Sequence, residues 1–494
     1  MERVRVNRNA VENPIELKDK LRKISDLPGP RALPLVGNFH QMEKGAGHRS
    51  IEAWAREFGD YYRLSLGRRD MLVVSDPTEI GRILRDRPDG FRRTQLLEMV
   101  LGEIGIGGVF ASNGEVWRRQ RKMVASAFDP KHIKAYFPSL ARVTERLYRR
   151  WSNHAAKSIE FDLQADLMLY TVDVVAGLAF GVDINTIESD RETIQTHLNY
   201  VLPMMNRRLG SIVRYWHWFK LPSDRKLDIH LAQIQRAVTD LIQQARQRMA
   251  ENPSLREAPT NLLEAMLAER DAPGTELTDH DVSSNVVTIL LAGEDTTANT
   301  LAWLVYLVSH HPEVMQRLAQ ETDELLGESR WAERMDVATS HSYVAACAQE
   351  TMRVKPVAPM LLFEALAPTV IGDIAVPAGA GVLALLRGPT MDQRYFDRPR
   401  EFDPDRWSAP RDASRQASAA GTPGRERVSM PFGAGPRICP GRNLAMLEIS
   451  LVTSMLFRNF QIKSLRTPDG TEVKESLSFT MGPSKMLVTL APRH

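Results

Sequence analysis

The sequence predicts a mainly α-helical protein with small β-sheets, an α+β chain, and three observations carry that reading. From about Asp76 to Gly327 apolar residues recur at helical spacing, as in HLAQIQRAVTDLIQQARQRMAE. The β-type runs are short, bounded by Gly or Pro, and fall early or late in the chain. The composition, 43% hydrophobic and 25% charged over 494 residues, supplies enough apolar material for a large core and excludes disordered and fibrous classes.

In chain order, residues 1–26 form a charged N-terminal arm with no apolar span, which predicts a cytoplasmic protein without a membrane-spanning segment. Leu17, Leu21 and Ile24 recur at helical spacing, so the arm lies either on its own domain or on a membrane surface. LPGPRALPLVG follows, where Pro28, Pro30 and Pro34 forbid continuous helix and make a stiff entry to the body at residue 27. YYRLSL and MLVV, separated by GRRD, read as a hairpin between Tyr61 and Val74. The helical region then runs to Gly327, and β-type runs return at TVIGDIAVPAG and SLSFTMGPSKMLVTL. The stretch from Ser408 to Arg427 is a polar, small-residue loop, and no internal repeat is present.

Charge and cysteine usage narrow the function. Lys and Arg total 64 against 61 for Asp and Glu, too near balance for a nucleic-acid binder. The two cysteines, Cys347 and Cys439, exclude a disulfide framework and suit a reducing compartment. Cys347 lies in the helical run YVAACAQETMR and reads as core.

Cys439 stands in Phe432-Gly433-Ala434-Gly435-Pro436-Arg437-Ile438-Cys439-Pro440-Gly441, just before the helical run RNLAMLEISLVTSMLF. Pro440 suits the first helical position, and the amides of Gly441 and Arg442 can then point at the sulfur. The positive end of the helix favours thiolate over thiol, so this is a site for an anionic sulfur ligand. Gly433 and Gly435 permit turns closed to other residues and let a flat cofactor approach the main chain. Arg437 can pair with a carboxylate of that cofactor.

A second unusual segment is LTDHDVSSNVVTILLAGEDTTANTLAWLVYLVSHHPEV. Thr278 and Asp281 form a capping-box pair, and the helix they open continues apolar to Ser309, roughly 45 Å at 1.5 Å per residue. Gly293, Glu294, Asp295, Thr296 and Thr297 break the apolar run. Thr296 can bond back to the carbonyl of Ala292, and together with Gly293 this would open the helix to oxygen and water. Elsewhere, Glu350 and Arg353 in QETMR share a helical face, as do Trp117 and Arg121 in GEVWRRQRKM.

The cysteine segment resembles the cytochrome P-450 family, matching its FxxGxRxCxG signature at every fixed position, and the resemblance extends from about Leu27 to Leu490. It implies a single-domain cytochrome P-450 fold over 27–494, with haem b between the long central helix and the C-terminal cysteine-loop helix. It implies Cys439 as axial ligand of the haem iron, and Arg437, Trp117 and Arg121 as propionate partners. Phe432, Gly433, Gly441 and Ala292 would lie against the cofactor. AGEDTT resembles the central-helix motif in which an acid and a threonine deliver protons, here Asp295 and Thr296. QETMR and FDPDRW resemble the elements of a structural triad, here Glu350, Arg353 and Arg406. One departure is that many members carry a further propionate-binding arginine shortly after that helix, where this chain has APMLLFEAL with Glu364.

The implied activity is a haem-thiolate monooxygenase that inserts one atom of O2 into a hydrophobic small molecule, acting as a monomer. The segments LLEMVLGEIGIGGVF, VLPMMNRRLGSIVRYWHWF, VAPMLLF and SLSFTMG, rich in Met and aromatics, line the pocket or are simply core. No flavin or iron–sulfur signature follows the cysteine segment, so an external ferredoxin or flavodoxin with its reductase supplies electrons. Arg118, Arg119 and Lys122, with Arg411, Arg415, Arg425 and Arg427, form either its basic docking face or an ordinary solvated one. The rival readings are a peroxide-driven hydroxylase, a haem-thiolate isomerase and a non-catalytic haem sensor.

Overall fold

The helix Asp279–Ser309 forms the axis of the molecule, and its capping box is formed as its sequence predicts. Thr278 Oγ1 accepts from the Asp281 amide at 3.2 Å, and the Asp281 carboxylate accepts from the Thr278 amide at 2.8 Å. The molecule is described by a computed structural model over residues 21–67, 69–189, 194–211, 213–408 and 424–493.

Leu163–Phe180 lies along the central helix and is apolar on nearly every side, because it is buried nearly all round. It is the one described helix long and apolar enough to cross a membrane, and most of it is packed inside the protein. The cysteine-loop helix, Arg442–Asn459, packs on both the central helix and Ser342–Val354. The side chains between these helices form the main core, which includes Val286, Leu290, Leu301, Leu444 and Leu451.

A five-stranded sheet stands to one side, over a second core that includes Leu72, Ile80, Phe91, Phe363 and Val382. The expected hairpin is there, Tyr61–Leu66 antiparallel to Arg69–Val74. Gly381–Ala384 pairs parallel with its second strand, then Leu361–Ala365 and Phe91–Arg93 follow, both antiparallel. TVIGDIAVPAG forms the hairpin Thr369–Ile371 with Ile374–Val376. The C-terminal β-type runs form Glu475–Leu477 with Met481–Pro483, and Leu487–Pro492 between Phe460–Arg466 and Phe161–Asp162.

Three expectations change. The helical spacing of the arm does not continue as α-helix at Leu21 and Ile24; Ile24–Asp26 is a single 3-10 turn. Arg22–Lys23 instead joins Ile374–Ala375 as a parallel strand, held by an Arg22–Asp373 ion pair at 2.7 Å, and Ile24 is buried. Edge-strand hydrogen bonds outweigh a three-residue apolar pattern, so the end of the arm pairs onto the body; Leu17 lies outside the described residues. The helix expected to open at Gly293 runs unbroken through it. A Cβ there would come 2.5 Å from Val175 Cγ2, so the glycine serves close packing against Leu163–Phe180. Most of the polar loop, with Arg411 and Arg415, lies outside the described residues; Arg425–Val428 is a short helix.

Candidate active site

Cys439 follows a tight loop closed by its own amide, which donates to the Phe432 carbonyl at 2.9 Å. The amides of Gly441 and Arg442 lie beside its sulfur and favour the charged form, as expected. Pro440, however, is not the first helical residue: the helix starts at Arg442 with Gly441 as its cap. The amides aimed at the sulfur belong to the cap and the first helical residue, which leaves the proline outside the helix. Burial pushes the Cys439 thiol up, while the Gly441 amide, the Arg121 guanidinium and the Arg442 amide pull it down. The residue nevertheless keeps exposed surface. Cys347, by contrast, is wholly buried and belongs to the core.

The two loop glycines differ in their reasons. Both have positive φ, 73° at Gly433 and 70° at Gly435. A Cβ on Gly435 would strike the backbone of Arg85 at 2.6 Å, so that glycine seats the loop on the helix Pro77–Arg85. A Cβ on Gly433 would meet nothing within 4 Å, which leaves open space beside the loop.

On the central helix Ala292 is exposed although Leu291 before it is buried, so this face also borders open space. Thr296 Oγ1 donates to the Ala292 carbonyl at 2.8 Å, as its position predicts. Asp295 accepts from Asn299 Nδ2 at 2.8 Å and from the Thr480 hydroxyl. Burial raises the Asp295 carboxyl above the usual range, and the two hydrogen bonds offset part of that rise. Asn299 has a sequence signal, being four residues on along the same helix face. Thr480 has none beyond its place in SLSFTMG.

Arg437 lies 4.6 Å above the Trp117 indole, donates to the Ser112 carbonyl at 2.6 Å, and has a buried Nε with no hydrogen-bond partner. Arg121 Nη2 donates to the Ile438 carbonyl at 2.7 Å. It is thus tied to the cysteine loop beside Cys439. Arg442 lies 5.8 Å over the Phe432 ring. Glu364 accepts from Arg92 at 2.9 Å and from the Gln95 amide, and is thereby neutralised. Arg87 and Arg93, which sequence reasoning passed over, lie close enough to Arg437 for the three cations to repel one another.

The Glu350 carboxylate, fully buried, takes a two-pronged pair from Arg353 at 2.8 and 2.7 Å and accepts from Arg406 Nε at 3.3 Å. Trp407 Nε1, at 2.8 Å, and the Asp403 amide complete its shell. Arg353 also donates to the Thr390, Pro399 and Glu401 carbonyls, locking the segment ahead of FDPDRW to the helix. Trp407, in FDPDRW, is a member of this cluster that no motif position marks.

The expected basic face is largely self-neutralised. Arg118 pairs with Asp89 and Glu115, Arg119 with Glu276, and Lys122 with Glu269 at 2.6 Å. Arg425 donates to the Arg406 carbonyl at 2.9 Å.

An accessible, amide-supported cysteine, open space beside Gly433 and Ala292, and a buried guanidinium nitrogen lacking an acceptor fit a flat, anionic, metal-bearing cofactor. A metal cation would displace the thiol proton, and a carboxylate would satisfy Arg437.

The cytochrome P450 family model matches residues 27–490. The LUTEIN DEFICIENT 5 protein of Arabidopsis thaliana chloroplasts is 26% identical over 89% of this chain and 73% of its own length. Cytochrome P450 3A6 of Oryctolagus cuniculus is 26% identical over 90% of this chain and 87% of its own. The crystal structure of the cytochrome P450DA heme domain superposes with a TM-score of 0.80 at 22% identity, covering 95% of this chain and 98% of that one. Fold, matched length and the cysteine loop agree: the chain belongs to the cytochrome P450 family of haem-thiolate monooxygenases.

Proposed function

We propose that this protein hydroxylates or epoxidises a hydrophobic small molecule, inserting one atom of dioxygen with electrons from a separate redox partner. The observation that carries the reading is Cys439, whose charged sulfur is favoured by the neighbouring Gly441 and Arg442 amides and which nevertheless keeps exposed surface. Cys439 would hold haem b, which would supply oxygen activation, because electron density from a thiolate favours O–O cleavage.

The protein's own residues supply anchoring and protons. The Gly441 and Arg442 amides and the Arg121 guanidinium stabilise negative charge on the sulfur. Arg437, held over Trp117, has a nitrogen available to a propionate. Phe432, Gly433, Gly441 and Ala292 border the plane the cofactor would occupy. Asp295, with its raised carboxyl, holds a proton more readily than an exposed aspartate, beside the Thr480 hydroxyl that donates to it. Thr296 spends its own proton on the Ala292 carbonyl, so its oxygen remains an acceptor at the same helix turn. Glu350, Arg353 and Arg406 act from behind the loop as its structural support.

A ferredoxin or flavodoxin with its reductase is the electron source in this reading. The acids paired with Arg118, Arg119 and Lys122 limit long-range steering, so charge reversal at Arg118 and Arg119 should lower the partner's association rate by less than about tenfold at low salt. A cytoplasmic monomer suits a chain with one core cysteine and one site cysteine. The catalytic unit spans 27–494, joined by the arm residues that pair onto the sheet.

The test is a library screen for displacement of the haem's sixth-ligand water, read optically. Turnover of each hit with isotopically labelled dioxygen follows. Label in the product, and its loss in Thr296→Ala, supports the reading. Peroxide-driven turnover that is indifferent to Thr296→Ala rejects it in favour of the peroxide-dependent alternative.

A further inference from the structure

Arg87 retains only 4% of its surface, and its Nε and Nη2 have no hydrogen-bond partner. Its guanidinium lies 4.5 Å from the centre of the Phe363 ring. Phe363 is also the cross-strand partner of Arg93. Arg93 donates from Nε to the Phe110 carbonyl at 2.7 Å and stacks 3.6 Å over that residue's ring. Neither arginine has an acid within ion-pair distance among the described residues.

A buried guanidinium without an acid, such as Arg87, is among the most costly features a core can contain, and Arg93 and Arg437 are half-buried beside it. Here they are gathered rather than dispersed. Burial first, then Arg93 and Arg437, push the Arg87 guanidinium down to about 8. Burial and Arg437 push Arg93 down to about 9. Burial and Arg121 push Arg437 down to about 10, with Glu98 the one acid opposing them. The aromatic faces beneath Arg87 and Arg93 attract the cations without neutralising them. A site with three converging cations and one weakly acting acid is completed by an anion from outside the chain.

We propose that Arg87 and Arg93 join Arg437 as ligands for the two haem propionates, forming a three-guanidinium cradle between the strand Phe91–Arg93, Phe363 and the cysteine loop. This rests on the haem-binding reading above. It also accounts for the absence of an arginine from APMLLFEAL: the strand carries Phe363 instead, and the positive charge beside that ring comes from Arg87. Planar guanidinium groups take carboxylates through paired N–H donors, so three of them provide more donors than two carboxylates need.

The experiment compares Arg87→Met, Arg93→Met, the double variant and Arg87→Lys in two readouts besides turnover. The first is the rate of haem transfer from the holoprotein to haem-free myoglobin. Each Met variant should speed transfer about tenfold and the double about a hundredfold, since each removes a charge-assisted hydrogen bond to the cofactor. Arg87→Lys should retain part of the effect.

The second readout is the thermal midpoint of the haem-free protein. A cation waiting for an anion destabilises the empty site, so both Met variants should raise that midpoint. A merely structural arginine would lower it. Transfer within twofold of the parent in the double variant, or a lowered haem-free midpoint or failure to fold, overturns the proposal. The absorption band of the reduced carbon monoxide adduct should keep its thiolate position throughout. Lack of that band in the parent sinks the haem-thiolate reading instead, and the two failures are thereby told apart.

Discussion

Removing the Glu350 carboxylate should cost a large part of the protein's stability. Glu350→Ala would leave Arg353, which has no exposed surface, without its two-pronged counter-ion, and Arg406 without its buried one. Breaking a buried pair by deleting one partner costs about 3–5 kcal/mol. The Trp407 indole N–H and the Asp403 amide would lose their acceptor as well, at about 1–3 kcal/mol each where no water enters. The sum, on the order of 5–10 kcal/mol, rivals the total stability of a typical domain. Glu350→Ala should therefore fail to accumulate as haem-bound protein. Glu350→Gln, which keeps one acceptor, should fold with a loss of about 3–5 kcal/mol. Chemical denaturation followed by near-ultraviolet circular dichroism and by haem absorbance measures the glutamine variant. A loss below about 1 kcal/mol, the value of a solvent-exposed ion pair, would refute the reasoning.

Other consequences follow from single contacts. Asp295→Asn should lower dioxygen-driven turnover about a hundredfold, while the optical shift on substrate binding stays unchanged, because the residue is assigned to proton supply; equal turnover would remove it from that role. Burial pushes the Glu448 carboxyl up to about 8, so the folded protein holds this proton where the unfolded chain has lost it. Its contribution is complete below the unfolded value of about 4.5 and is lost as pH rises through 8, and Glu448→Gln should flatten that slope in pH-dependent denaturation. Gly293→Ala should cost about 1–3 kcal/mol through collision with Val175 and be partly rescued by Val175→Ala, a coupling that a double-mutant cycle reads directly.

Legibility in the sequence followed the range of the interactions. The capping box at Thr278 and Asp281 and the Thr296 bond to Ala292 are local, and spacing alone predicts them. The amides at Cys439 follow from a nearby helix start, but Pro440 suggests that start two residues before Arg442, where the helix begins. From sequence Gly293 reads as a residue that opens the helix, since nothing in AGEDTT shows that Val175 packs against it from another helix. The charge balance of Arg118, Arg119 and Lys122 was invisible, because Asp89, Glu276 and Glu269 come from other segments. Arg87 and Arg93 carry no motif, and only the burial of Arg87 and the lack of an acid beside either distinguish them from surface arginines.

The account depends most on whether the Cys439 sulfur binds the haem iron. The direct measurement is the optical spectrum of the reduced carbon monoxide adduct, taken for the parent protein and for Cys439→Ser. The account predicts a thiolate-ligated band in the parent that disappears in the serine variant while haem is still retained. A parent without that band, or a serine variant with an unchanged spectrum, would contradict it.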